Sequence, residues 1–240
     1  MTVVYKTKGF VFKKEDKSEA NRIFTIFTKD FGKINVLGRA IRKIHSKLRS
    51  GIDIFYLSEI EFVEGKHQKT LTDAVLLNKP SVTFKNGNIL VAQRISSLLE
   101  NFVKGQEKDD KIFQEIEKML NAIYGNTAKI SGELVYQYFF WNFLSSQGYH
   151  FNVNVCASCR ARLNPYAVYF SAKEGGVICK PCIHKDEASF KINSDVVKIL
   201  RIILAKKWDV LLKLKIDDLS RIMLENISQD TEQRLAPVNS

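Results

Sequence analysis

No stretch of this chain approaches the roughly eighteen consecutive apolar residues of a membrane-spanning helix; the most apolar run, Tyr138 to Leu144, suits a buried helix instead. A helical membrane span is therefore excluded. The opening M-T-V-V-Y-K lacks a charged-then-apolar leader, which predicts a cytoplasmic protein in a reducing compartment. A phosphate-cradling G-x-x-x-x-G-K-[ST] loop is missing too: Gly32-Lys33 is followed by Ile34, and no glycine stands five residues before Gly32. The H-x-E pair of a zinc deaminase is missing as well, because His45, His67, His150 and His184 are followed two places on by Lys47, Lys69, Asn152 and Asp186. The paired carboxylates Asp109-Asp110 and Asp217-Asp218 lie in polar stretches without a histidine or metal context. These absences argue for a binding protein and against an enzyme.

Only four cysteines occur in the 240 residues, and they fall as C-A-S-C and C-K-P-C, with Cys156 and Cys159 in the first pair and Cys179 and Cys182 in the second. A two-residue spacer lets both thiolates of one turn reach the same tetrahedral ion, so the set predicts one structural Zn2+ with four sulfur ligands. Four protein ligands leave no position for water or substrate. Two disulfides or four buried thiols are the alternative, and the expected reducing compartment disfavours the disulfides.

The formal charge of +11 points to a polyanionic partner, because Lys and Arg release counterions when they meet phosphates. Residues 1–80 carry sixteen Lys/Arg against nine Asp/Glu, so most of the excess sits there. Between Gly38 and Gly51 lie Arg39, Arg42, Lys43, Lys47 and Arg49, and no acid occurs from Val36 to Ile52. A charge run is often only a solvated face, but this one is flanked by strand patterns and reads as a basic loop or short helix projecting toward phosphates. Lys6, Lys8, Lys13 and Lys33 extend the candidate surface, and Phe31, beside the Gly32-Lys33 turn, is the candidate for stacking on bases.

Short alternating segments between Val3 and Asn78 (Val3–Lys13, Arg22–Thr28, Lys33–Leu37, Ile54–Val63 and Leu71–Leu77) predict about five strands. Five such strands in about eighty residues suit a small barrel such as the OB-fold, with a small sandwich as the alternative. After Pro80 the apolar period becomes helical. Ile89, Ala92, Ile95, Leu99, Phe102 and Val103 form one stripe and Ile112, Ile116, Met119, Leu120 and Ile123 another, with a polar stretch from Lys104 to Lys111 between them. Ser131 to Gln147 is apolar on nearly every side, as a central helix would be. Helices are expected again at Ser194–Lys207 and Ile216–Ser228, followed by a polar tail from Gln229 with Pro237 near its end. The fold class is α+β: a barrel domain at 1–80, a helical domain at 81–150 and 188–240, and a zinc-binding insert at 151–187 with a hairpin turning at Gly175-Gly176.

That order of parts, with Gly9-Phe10-Val11, the Phe31-Gly32-Lys33 turn leading into Val36 to Gly38 and the cation cluster, and Q-K-T-L-T-D-A-V-L-L from Gln68 to Leu77, resembles the bacterial RecO family of recombination mediators. The resemblance spans essentially the whole chain. It implies an OB-fold that binds single- and double-stranded DNA and anneals complementary strands. It also implies remodelling of single-strand-binding protein so that RecA can load, together with RecR, at the bacterial nucleoid and without nucleotide consumption. In some members the tail of single-strand-binding protein docks on the helical body, and several members lack the cysteines, so the zinc here is expected to brace the fold. The other reading of the same residues is a zinc-ribbon RNA-binding accessory protein; a nuclease whose site no motif captures is the third.

Overall fold

The computed structural model describes residues 3–79, 87–103, 108–124, 132–211 and 213–236. Pro80, Lys104, Ser131 and Pro237 lie outside the described residues, as do the side chains of Ile89, Ala92, Met119 and Ile123.

Five strands, β1 (Val4–Asp16), β2 (Arg22–Thr28), β3 (Gly32–Gly38), β4 (Leu57–Glu64) and β5 (Lys69–Asn78), close into a barrel in the order β1-β2-β3-β5-β4. β1 makes closure possible by serving two partners: Val4 to Phe10 pair with β4, and Gly9 to Asp16 pair with β2. A register shift between Val11 and Lys13 bends it from one to the other. The seam is short and parallel, with Val36 opposite Lys69 and Leu37 opposite Thr70.

Inside lie Val11, Phe24, Ile26, Ile34, Val36, Ile60, Phe62 and Leu71, one parity of each strand, as period-two alternation requires. The outward parity of β1 starts solvated at Lys6 and Lys8 and then turns apolar at Phe10 and Phe12, both almost wholly buried. Helices explain the change. α1 (Gly87–Phe102) packs on β1, and Phe113 of α2 (Asp110–Tyr124) sets its ring centroid 5.1 Å from Phe10 and 6.3 Å from Phe27. The first compact unit runs from Met1 to Thr127, and within it α1 and α2 pack with the barrel.

The second unit, Ala128 to Ser240, is built around α3 (Gly132–Ser146), buried on nearly all sides as its composition predicts. α4 (Ser194–Leu204), the single turn α5 (Trp208–Leu211) and α6 (Asp218–Leu235) complete the helices. α4 stops three residues short of the expected end, and Lys206 turns the chain back with φ +54°. α6 corrects the expected polar tail, because it continues to Leu235 with Ser228 and Thr231 fully buried. Hydrogen bonds permit that burial. Gln137 Nε2 on α3 donates to Glu133 Oε1 at 2.7 Å and to Ser228 Oγ at 2.9 Å, while Trp141 Nε1 donates to Gln137 Oε1 at 2.8 Å.

The cysteine segment forms a three-stranded sheet in which β6 (Val168–Ser171) is flanked by β7 (Gly176–Cys179) and by an unforeseen β8 (Phe190–Ile192). It is stitched to the helices. The rings of Phe151 and Phe170 meet Trp141 edge-on at 4.8 and 5.4 Å, and Arg201 Nε donates to the Val153 carbonyl at 2.9 Å. Buried Asp186 accepts from Ser171 Oγ at 2.6 Å and lies 3.6 Å from Arg234, near the end of α6. Among the described residues no helix is long and apolar enough to cross a membrane.

Candidate nucleic-acid interface and metal centre

The segment from Gly38 to Ile52 leaves β3, crosses the barrel mouth in consecutive turns and ends in a 3-10 turn, Lys47–Ser50. Its apolar residues anchor it: Ile41 and Ile52 are buried in the barrel core, and Leu48 is half-buried against it. Gly51 is required by close approach, since a Cβ there would lie 1.8 Å from the Ala74 carbonyl oxygen of β5. The Gly51 carbonyl in turn accepts the buried Ser58 hydroxyl at 2.6 Å. At the other end Asn21 Oδ1 accepts the Ala40 N–H at 2.9 Å, which supports the left-handed turn at Ala40, φ +52°. A loop pinned at both ends can hold its charges in place without spending loop entropy on each contact.

Arg39, Arg42, Lys43, Lys47 and Arg49 are all exposed on this segment. Arg42 is engaged, 3.3 Å from Asp16 and donating to the Ser18 carbonyl at 3.0 Å. For Arg39, Lys43, Lys47 and Arg49 no ion pair occurs among the described residues, and Lys8 is likewise exposed without one. Such cations keep their full charge for an incoming phosphate.

The other expected contacts are differently placed. Lys6 sits between Glu59 at 2.7 Å and Glu61 at 3.6 Å, and the hydrogen bond and charge of Glu59 raise its pKa above the ordinary lysine value. Lys13 reaches Glu100 of α1 at 2.7 Å, and Lys33 donates to the Glu100 carbonyl at 3.3 Å, so both tie the barrel to a helix. Phe31, expected to stack on bases, instead meets Tyr5 and Phe62 edge-on at 5.6 and 5.5 Å and packs against the barrel core. Its neighbour Gly32 holds the turn with φ +59°, and the Phe31 N–H donates to Thr28 Oγ1 at 3.0 Å.

Two cations escaped the sequence reading. Lys14 and Arg22 line a cleft of about 340 Å3 with Arg42, Arg49, Phe24, Ile41, Ile52 and Asp53. Arg22 donates to Asp16 at 2.7 Å, and Lys14 pairs with Asp53. Hydrogen bonding from Arg22 holds the Asp16 carboxyl below the usual aspartate range. Both cations lie on the inward parity, Lys14 opposite Phe24 and Arg22 two residues before it, where β1 ends and β2 begins beyond the apolar core, and that parity was the available signal.

The four cysteine sulfurs converge, all within 4.8 Å of one another, with Cys156 and Cys182 buried. The Cys159 and Cys179 sulfurs stand 3.7 Å apart. A disulfide would bring them to about 2 Å, whereas a tetrahedron with metal–sulfur bonds of about 2.3 Å has edges of about 3.75 Å. The separation fits a shared ion. Backbone N–H groups of Cys159 and Cys179 point at Cys156 Sγ from 3.5 and 3.4 Å, donors that stabilise a thiolate there and fix its direction. Burial pushes the Cys156 thiol up, but N–H donors from Cys159, Cys179 and Ser158 outweigh it and bring its pKa down to about 6. Burial and the neighbouring thiols push Cys179 up to about 12. Four convergent thiols at this spacing are a donor set that fits a divalent, thiophilic ion. Gly176 seats the second strand, since a Cβ there would fall 2.1 Å from the Asn152 carbonyl oxygen.

The chain thus combines a basic five-stranded barrel with a second, helical unit whose four cysteines converge in a metal-binding arrangement. Comparison with known proteins narrows this. The family model described as Recombination protein O N terminal matches residues 1–80, and the one described as Recombination protein O C terminal matches residues 87–234. The chain is 28% identical over 215 residues to the DNA repair protein RecO of Dehalococcoides mccartyi strain BAV1, covering 89% of this chain and 83% of that one. It is 27% identical over 220 residues to the RecO of Alkaliphilus metalliredigens, covering 90% and 87%, and 24% identical over 239 residues to that of Desulforamulus reducens, covering 97% and 91%. The chain belongs to the RecO family, whose members bear the name of recombination and DNA repair proteins.

Proposed function

We propose that this protein is a DNA-binding mediator of recombinational repair that anneals complementary strands and helps RecA load on single-stranded DNA coated with single-strand-binding protein, in concert with RecR. The observation that carries the reading is the pinned, acid-free segment from Gly38 to Ile52, with four exposed cations that no carboxylate neutralises among the described residues. Strand order 1-2-3-5-4 with a parallel β3–β5 seam supports the OB-fold reading, a frame that recurs in single-strand binders. Arg39, Lys43, Lys47 and Arg49, with Arg42, Lys8 and the cleft residues Lys14 and Arg22, would neutralise phosphates of one or two strands. Mutual repulsion then falls and complementary bases can meet. No covalent step is needed, so the protein acts without catalysis.

Zinc held by Cys156, Cys159, Cys179 and Cys182 would brace the second unit, and the place of action would be the bacterial cytoplasm at the nucleoid. Fluorescence-quench annealing of complementary oligonucleotides coated with single-strand-binding protein tests the reading. The wild type should anneal them, and a variant with Arg39, Arg42, Lys43, Lys47 and Arg49 changed to Ala should not. A folded wild type that fails to anneal and instead prefers structured RNA would replace this reading with the RNA-binding one.

A further inference from the structure

Ile44 is out of character for its position. The Ser46 N–H donates to the Lys43 carbonyl at 3.0 Å, which makes Ile44 and His45 the corner of a tight turn. Corners of this kind favour Pro, Gly, Asn, Asp and Ser, and a β-branched apolar residue gains nothing there from the backbone. Ile44 is 81% exposed, more than any other aliphatic side chain among the described residues. The same segment places its other large apolar residues inward: Ile41 and Ile52 are each 3% exposed, and Leu48 packs on the core. Anchoring therefore does not require Ile44. It stands at the tip of the segment, with Lys43 before it and Lys47 three residues after it, neither of which has an ion pair among the described residues.

We propose that Ile44 is an apolar wedge that enters the base stack of a bound DNA strand while Lys43 and Lys47 hold the phosphates on either side. The inference rests on the DNA-binding reading and adds to it a residue that touches bases. Proteins that combine phosphate-binding cations with a protruding Ile, Leu, Phe or Met use the apolar group to unstack a base step. For an annealing protein the gain is direct. A strand held by its phosphates alone keeps its bases stacked, whereas one opened at a step presents Watson–Crick edges to a complement.

The test uses the full chain and a single-stranded oligonucleotide carrying 2-aminopurine, whose fluorescence rises on unstacking. Wild type should bind and raise the signal. Ile44→Ser should bind about fivefold more weakly, the loss expected for one small apolar contact, with the same salt slope and no rise. Ile44→Leu should keep both. Because the side chain is exposed, the thermal midpoint should be the same in all three, which separates a lost contact from a damaged fold. A rise that persists in Ile44→Ser, or binding by wild type with no rise, overturns the wedge and leaves the DNA-binding reading standing. Failure of wild type to bind the strand at all overturns both.

Discussion

The basic segment of the first unit, a run of turns, and the cysteine segment of the second, a small sheet with its flanking turns, are each pinned by glycine and buried apolar residues, yet they orient their polar atoms oppositely. From Arg39 to Arg49 the cations face outward, and four of them meet no acid among the described residues. From Cys156 to Cys182 the sulfurs face inward on one point, within 4.8 Å of one another. One segment spends its sequence on a surface and the other on an interior. Binding and stability should therefore be separable, each lost without the other.

The largest effect should come from the cysteines. Cys182→Ser, or removal of zinc by a chelator, should destabilise the second unit by about 5 kcal/mol, because ligand loss forfeits folding energy and leaves buried thiols unpaired. Metal content and thermal melting check this. The salt dependence of DNA binding should be unaffected; if it changed in parallel with zinc, the separation would fail.

Next comes the division of the chain. Cutting after Pro80 exposes the apolar faces of Phe10 and Phe27 that Phe113 covers, at a cost of about 3 kcal/mol relative to a cut after Thr127. Urea unfolding of the two fragments measures the difference, and equal stability would show that α2 contributes nothing to the barrel.

Gly51→Ala should cost about 2 kcal/mol, since backbone must move to clear the Ala74 carbonyl. It should also weaken DNA binding by displacing the segment that holds the cations. Retained stability in that variant would mean the seat is not needed.

The smallest effect lies at the start of α6. There Asp217 accepts the Ser220 N–H at 2.9 Å, and this bond holds its carboxyl below the ordinary aspartate value of 3.8. A depressed carboxylate contributes stability that is fully present above that value and is lost as the pH falls below it. Asp217→Ala should accordingly be less stable than wild type at neutral pH and converge on it in strong acid, as acid titration of the helical signal would show.

Much of this was legible in advance, and the exceptions have physical causes. Alternation located the five strands because each has one face in the core, and cysteine spacing located the four-sulfur cluster because the geometry is local. The packing of α1 and α2 on the barrel was not legible, because a helical period tells that a helix has a buried face but not what it buries against. The clue was in β1, whose outward parity turns from Lys8 to Phe10 and Phe12. The end of α6 was taken for a tail because hydropathy scores Ser228 and Thr231 as polar without seeing that Gln137 Nε2 and the Ile227 carbonyl satisfy them. The packing of Phe31 on Tyr5 and Phe62 was not legible, because both lie too far along the chain for sequence to pair with it.

The central claim is that the segment from Arg39 to Arg49 carries the electrostatics of DNA binding. Its direct test is the slope of log affinity against log salt for single-stranded DNA, in wild type and in the variant with Arg39, Arg42, Lys43, Lys47 and Arg49 changed to Ala. Five lost phosphate contacts should make the slope shallower by about 3.5, with an unchanged thermal midpoint. An unchanged slope in a folded variant would contradict the account.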